Sequence, residues 1–223
     1  MLLATAPRRY DLPAVRRSQA IAYETELGRD IARDILFAKI KGQAAVARYM
    51  GNASAAITIG DLANKLDDAH EVIDLLSIEA MAASAYWAGW ADLRLRFAKR
   101  DRVPDHWKAF GIRRSPISGD PRSAATPGNA ILNYLYGVLR SQITISLASV
   151  GLDPGMGLLH TDKPSRASLA YDAMEAARPI VDLWFFNWLK DATFAKRDFY
   201  EEGNGTVRIT RPLNSHLAMT AAL

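Results

Sequence analysis

The 223-residue chain contains no cysteine, which excludes a disulfide framework and any thiolate metal site. Long apolar runs are also missing: the first residues lack the apolar core of a signal peptide, and no run approaches membrane-spanning length. We therefore expect a cytoplasmic protein without membrane contacts. The sequence has no P-loop, no dinucleotide glycine fingerprint and no G-x-S-x-G elbow, so these classes of enzyme are not indicated.

The residues that are present predict a helical protein. Hydrophobic residues make up 49% and charged residues 23%, an ordinary globular balance. Apolar residues recur at three- and four-residue steps, which predicts helices nearly throughout and an all-α fold. The expected elements are helices over 19–50, from Asp61 to about Ala69, over 71–97, from Asn129 through Val150, and from Ser165 to about Thr193, with one short strand at 206–209. Pro179 should kink or divide the last of these helices.

Basic side chains are concentrated in one stretch. Residues 94–122 hold nine cations and three anions, whereas the rest of the chain is slightly acidic. Such a stretch can neutralise nucleic-acid phosphates and release their counterions, although an ordinary solvated loop is the alternative. The candidate phosphate contacts are Arg94, Arg96, Arg100, Arg113 and Arg114.

Glu79 stands out because it lies in a mostly apolar helical run. Leu75, Ala82 and Tyr86 share its face at helical spacing, so that face is expected to be buried. A buried carboxylate is costly unless it is paired or binds a metal. The alternatives to a metal ligand are a glutamate paired with a buried arginine, or one at the edge of the apolar stripe.

Asp172, Glu175 and His160 complete a candidate site. Asp172 and Glu175 are three residues apart, so one helix presents both to the same side, although exposed acidic pairs are common. His160 directly follows a glycine-rich turn over 151–159, which would hold it rigidly, although most single histidines are structural. Carboxylates and a histidine from three segments suit Mg²⁺ or Mn²⁺.

Several motifs, in this order and spacing, resemble the CRISPR adaptation integrase family (the Cas-one family). They are KIKGQ at 39–43, the Glu79-Ala80 step, NAILNYLY at 129–136, GLDPGMGLLH at 151–160, SLAYDAME at 168–175 with Arg178-Pro179, and GTVRIT at 205–210. The resemblance covers roughly residues 19 to 215. It implies the helical catalytic domain of that family over 19–223, with residues 1–18 a remnant or linker and the usual N-terminal β domain largely absent.

The resemblance also implies a site and a reaction. By position, Glu79, His160 and Glu175 would bind one divalent metal, Mg²⁺ or Mn²⁺, with Asp172 beside it as a further catalytic acid. The implied function is a DNA endonuclease and integrase that inserts new spacers into a CRISPR array through attack of a 3′-hydroxyl on a repeat phosphodiester, in antiviral defence. The implied partners are DNA (a prespacer duplex, the CRISPR repeat and branched DNA), a second copy in a homodimer or higher oligomer, and a candidate Cas-two protein.

Three alternatives remain open at this point. A transposon integrase of the same superfamily performs the same chemistry on inverted repeats. A decayed relative would bind branched DNA without cutting it, although Glu79, His160, Asp172 and Glu175 are all present. A helical interaction module would have no site at all.

Overall fold

Helices account for most of the chain in the computed structural model, which describes residues 12–113, 123–160 and 162–220. The all-α prediction is confirmed. The elements are α1 Pro13–Ala22, α2 Glu26–Tyr49, α3 Ala53–Asn64, α4 Val72–Ala88, α5 Pro127–Ser149, α6 Ser168–Asp191, β1 Phe199–Glu201, β2 Val207–Ile209 and α7 Arg211–Thr220. Among the described helices, none is both long enough and apolar enough to cross a membrane.

Helix α2 lies at the centre of the bundle, where it packs against α3, α4 and α6. Ala32, Leu36 and Ile40 recur every four residues along α2 and are fully or almost fully buried. This spacing places them on one stripe, as the apolar periodicity requires. Helix α6 then packs against α5, and α5 contacts β2 and α7. The hydrophobic core is therefore continuous from α2 to the C-terminal elements.

Helices α2 and α6 run parallel to each other and approach closely at a glycine. Lys39 of α2 contacts Glu175 of α6, and Tyr49, further along α2, contacts Asn187, further along α6. Between these points a Cβ on Gly42 would lie 2.7 Å from the Pro179 ring. Glycine at this position therefore sets how near the two helices can come, and it brings Lys39 against Glu175.

Several expected boundaries were wrong. The helix expected over 71–97 ends at Ala88, because Trp90 turns into an aromatic cluster and the following chain is extended, with a bridge from Arg94 to Ala109. The helix over 19–50 is interrupted at Thr25, which caps α2 by accepting the Gly28 N–H at 3.1 Å.

Other helix caps also differ from expectation. Helix α3 is capped by Asn52 and contains Asp61, which was expected to begin a helix. Helix α5 is capped by Thr126. Asn129, expected as that cap, instead donates to the Phe110 carbonyl at 2.7 Å. Ser165 does not cap α6, which begins at Ser168 and continues through Pro179 as one helix.

The expected strand at 206–209 is confirmed as β2, Val207–Ile209. Its antiparallel partner β1, which pairs Phe199 with Ile209, was not expected from the sequence. Phe199 is buried and packs edge-on against Trp107 and Phe194. The hairpin is thus fastened to the extended segment that follows α4.

The close approach of α2 and α6 can be tested with alanine at two helical glycines. Gly42→Ala should destabilise the protein by about 1–3 kcal/mol, because its Cβ overlaps the Pro179 ring. Gly60→Ala in α3 is the control, since a Cβ there meets nothing within 4 Å and alanine favours a helix by about 1 kcal/mol. Urea unfolding of both variants measures the difference. Equal stability of the two variants would contradict the proposed contact.

Candidate active site

Two of the expected metal-ligand carboxylates meet at one ammonium group. The Nζ atom of Lys39 donates a short hydrogen bond to Oε1 of Glu79 and lies 2.6 Å from Oε2 of Glu175. The side chains of Lys39 and Glu175 are each 6% exposed, whereas that of Glu79 is 21% exposed. Solvent therefore reaches this group of three side chains from the Glu79 side. The sequence left open that Glu79 pairs with a buried arginine. Glu79 does pair with a buried cation, but that cation is Lys39.

Glu175 receives a second cation from its own helix. Nη1 of Arg178 lies 3.0 Å from Oε1 of Glu175, and the guanidinium of Arg178 also lies 4.9 Å from the centre of the Tyr136 ring. Both oxygens of the Glu175 carboxylate are therefore paired with cations, Oε1 with Arg178 and Oε2 with Lys39.

His160 is held by Asp172 on the same helix as Glu175. Nδ1 of His160 and Oδ1 of Asp172 are 2.5 Å apart, and Asp172 is fully buried. The carboxylate of Asp172 also accepts the backbone N–H groups of Leu158, Leu159 and His160. Because Nδ1 is occupied by Asp172, Nε2 is the ring nitrogen of His160 that is available to a ligand.

The glycine-rich turn has the shape needed to reach Asp172. A Cβ on Gly157 would lie 2.7 Å from the His160 carbonyl, 2.8 Å from the Ser168 side chain and 3.0 Å from Oδ2 of Asp172. Only glycine therefore fits between the turn and the start of α6. Gly151, with φ of 85°, ends α5 as expected, since this conformation favours glycine. The rigid placement of His160 expected from the sequence has a clear physical basis in these contacts.

The structure brings the expected site residues together in two pairs rather than as one cluster. Glu79 and Glu175 share Lys39, and His160 contacts Asp172, which lies one helical turn before Glu175. Within the described ranges, no group of three His, Cys, Asp or Glu side chains is arranged to hold a metal ion. The metal-ligand assignment therefore stays a prediction.

Sequence reasoning missed a buried acid next to this site, Asp182. Asp182 is fully buried and accepts the hydroxyl groups of Tyr86 at 2.8 Å and Tyr136 at 2.5 Å. Burial raises the pKa of Asp182 to about 6, although the two hydroxyls and the guanidinium groups of Arg113 and Arg178 act in the opposite direction. The signal was an aspartate within the apolar run 181–188.

The candidate DNA-binding arginines fall into different environments. Arg94, Arg96 and Arg100 are exposed, and Arg96 donates to the Lys190 carbonyl. Arg113 is half-buried, donates to Asn133 at 2.8 Å and lies 4.5 Å from the centre of the Trp87 ring. Burial lowers the pKa of Arg113. Arg114 lies outside the described residues. Of the four candidates that the structure describes, the three exposed arginines are therefore placed to meet a ligand in solution.

The fold and the site define a class: a helical domain with carboxylates gathered on a buried cation beside a histidine held by an aspartate. The family model described as "CRISPR associated protein Cas1" matches residues 3–219, and the chain belongs to this family. A protein of Pyrobaculum aerophilum named CRISPR-associated endonuclease Cas1 1 is 36% identical over 177 residues, which are 75% of this chain and 52% of that protein. The chain spans about half the length of the curated relatives it matches.

Solved structures agree with this membership. One, described as "Casposase bound to integration product", is 28% identical with a TM-score of 0.72, over 94% of this chain and 59% of that chain. Another, described as "Partial Cas6-RT-Cas1--Cas2 complex", has a TM-score of 0.74 over 99% of this chain and 64% of that one. Its identity is 19%, so it bears on the fold alone.

The buried acid Asp182 predicts a dependence of stability on pH. Its folded-state pKa of about 6 lies above the ordinary aspartate value of about 3.9, so the wild-type protein should lose about 3 kcal/mol as pH rises from about 4 through 6. Asp182→Asn cannot ionise and should not show this loss. Urea unfolding from pH 4 to pH 7 should therefore show the variant gaining stability relative to wild type as pH rises.

A second variant checks the direction of the effect. Tyr86→Phe removes a hydroxyl that donates to Asp182 and favours its ionised form. The loss of stability should then extend to higher pH than in wild type. A stability difference between wild type and Asp182→Asn that is constant from pH 4 to pH 7 would show that Asp182 has an ordinary pKa.

Proposed function

We propose that this chain is the catalytic part of a metal-dependent DNA integrase and endonuclease that inserts new spacers into a CRISPR array. The observation that carries the proposal is the meeting of Glu79 and Glu175 at one cation, in a Cas1-family chain, next to a histidine held by a buried aspartate. Glu79 of α4, Glu175 of α6 and His160 of the glycine-rich turn are side chains of the types that bind divalent metals, and they come from three segments.

The residues fit a divalent cation on two grounds. Glu79 and Glu175 already share a positive charge. The Nδ1 atom of His160 contacts a carboxylate, as metal-binding histidines usually do, which leaves Nε2 for a ligand. Glu79, His160 and Glu175 would therefore hold Mg²⁺ or Mn²⁺, because oxygen and imidazole ligands suit both ions.

The roles of the chain's own residues follow from their positions. Bound at this site, the cation would stabilise negative charge on a phosphodiester and lower the pKa of the attacking 3′-hydroxyl. Asp172 orients the His160 ring, and its carboxylate holds the turn over 158–160 by accepting the backbone N–H groups of that turn. The exposed Arg94, Arg96 and Arg100 would contact DNA phosphates. The reaction joins the 3′-oxygen to the repeat phosphorus and releases the 3′-oxygen of the cut strand.

The partners are proposed on the same footing. DNA as a substrate is supported by the similar casposase structure, in which that protein is bound to an integration product. A Cas2 partner is proposed by analogy with a protein of the same fold, which is described as part of a "Partial Cas6-RT-Cas1--Cas2 complex". Joining both ends of a spacer needs two active sites, whereas one chain supplies one, so a dimer or larger assembly is part of the proposal.

A second candidate function is a transposon integrase of the same superfamily. The casposase match favours it, since at 28% identity over 94% of the chain it is a close structural relative in both sequence and fold. Both functions use the same residues for strand transfer. They differ in the DNA that is joined, so an integration assay with a CRISPR repeat and, separately, with transposon ends distinguishes them.

The metal site predicts the loss of DNA joining and nicking on substitution of its ligands. Glu79→Gln, Glu175→Gln and His160→Ala should each reduce Mn²⁺-dependent activity by at least about 100-fold, since each removes a ligand for the cation. Fluorescent branched and repeat DNA, with and without Mn²⁺, provide the assay. Glu202→Gln is the control, because Glu202 pairs with Arg208 on the β-hairpin outside the site. Folded variants with wild-type activity would contradict the assignment.

Substitution of Asp172 should affect activity differently from substitution of the proposed metal ligands. In Asp172→Asn the amide cannot accept hydrogen bonds from both the His160 ring and three backbone N–H groups. We therefore expect the variant to bind Mn²⁺ about 10- to 100-fold more weakly and to be less stable. High Mn²⁺ should restore part of the activity, unlike in Glu175→Gln. Asp162→Asn is the matched control, because Asp162 accepts a single backbone N–H, from Gly157, in the same turn. An unchanged rate and Mn²⁺ dependence would assign Asp172 no part in the site.

A further inference from the structure

A groove next to His160 is lined by two arginines that face a single tyrosine. Its volume is about 480 Å³, and its walls come from α5 and from the turn and first residues of α6. Nη1 of Arg140 donates to the hydroxyl of Tyr171 at 2.5 Å. The guanidinium carbons of Arg140 and Arg166 lie 5.4 Å and 5.2 Å from the centre of the Tyr171 ring. Two positively charged guanidinium groups therefore contact the same aromatic ring.

The charge of these arginines is not neutralised within the chain. Across the described ranges, Arg140 and Arg166 form no ion pair with a carboxylate, in contrast to Arg33, Arg178 and Arg208. Cation–π contacts with Tyr171 hold both guanidinium groups in place but leave their charge. Two adjacent, positioned and uncompensated guanidinium groups favour an anion, and their planar donors match a phosphate.

The other polar groups of the groove are already committed or neutral. The hydroxyls of Ser141 and Thr144 donate to backbone carbonyls of their own helix. The arginine N–H groups are therefore the main donors that an anion would meet. Ser165, immediately before Arg166, has φ of 61°, a conformation that costs a non-glycine residue of order 1 kcal/mol.

The groove is physically continuous with the candidate active site. The rings of His160 and Tyr171 have their centres 5.9 Å apart, and Tyr171 precedes Asp172, which holds His160. An anion bound by Arg140 and Arg166 would therefore lie close to the histidine. A chain of phosphates passing His160 could place one phosphate in this groove and the reacting one at the carboxylates.

We propose that Arg140 and Arg166, positioned by Tyr171, bind a backbone phosphodiester of the DNA strand that enters the active site. Neither arginine belongs to the basic stretch over 94–122, and the proposal rests on the proposed function only for the identity of the strand. The contact carries no sequence information, because it is made to phosphate. Its contribution should depend on salt, since binding releases counterions.

Salt-dependent DNA binding tests the proposal. Fluorescence anisotropy of labelled duplex and branched DNA, in EDTA and over a range of salt, is measured for Arg140→Gln, Arg166→Gln and the double variant. Each substitution should reduce the slope of log affinity against log salt by about 0.9 on duplex DNA, and should weaken binding about tenfold at low salt. Arg48→Gln is the matched control, since Arg48 is exposed on α2 and does not line the groove.

A conservative variant separates charge from a structural role. Arg140→Lys and Arg166→Lys keep the charge and should keep most of the slope, whereas a purely structural role would make Lys and Gln equally damaging. Lys variants equivalent to the Gln variants would overturn the proposal.

The outcome is independent of the proposed reaction, because binding is measured without a divalent cation. Unchanged slopes in the Gln variants, with strand joining by wild type and none by Glu175→Gln, would refute the phosphate site and leave the proposed function intact. Reduced slopes with no joining by wild type under any metal would establish the phosphate site and refute the proposed function.

Discussion

The Lys39 ammonium sets the relative position of three helices. It belongs to α2, and it contacts Glu79 of α4 and Glu175 of α6. Two carboxylates brought this far from solvent would repel each other and lose hydration without a cation between them. The bundle must therefore pack in the register that brings these three side chains together. Gly42 permits that register, because it lets α2 lie directly against Pro179 of α6.

Helix α6 carries three buried acidic residues on a single face. Asp172, Glu175 and Asp182 are spaced by three and seven residues, and all three are buried. Each is stabilised by different partners: Asp172 by backbone N–H groups and His160, Glu175 by Lys39 and Arg178, and Asp182 by two tyrosine hydroxyls. A helix with three buried acids is unsuited to stability alone, and this supports a functional reason for the face.

The described region contains a continuous path of contacts from one side of the site to the other. Glu175 lies one turn after Asp172, Asp172 holds His160, and His160 lies beside Tyr171 and its arginines. Polar groups linked in this way influence one another, because the interior screens charge less than water does. A change at one position on α6 is therefore expected to reach the others.

The sequence by itself determined the helical class and the candidate residues. Apolar periodicity predicted the long helices, Gly151 marked the end of α5, and the 206–209 pattern gave β2. Asp172 and Glu175 were singled out by their helical spacing, and His160 by the glycine-rich turn before it. These signals are local, so a window of a few residues contains all the information that they need.

Only the tertiary structure decided where α4 ends and which partners the buried acids have. The chain leaves the helix after Ala88 because Trp90 packs against Phe110 and Phe185, residues that are distant in sequence. Lys39 meets Glu79 across 40 residues, and Tyr86 meets Asp182 across 96. Periodicity shows which face of a helix is buried, but not what is buried opposite it. The pairing of charges is set by long-range packing, which no local pattern encodes.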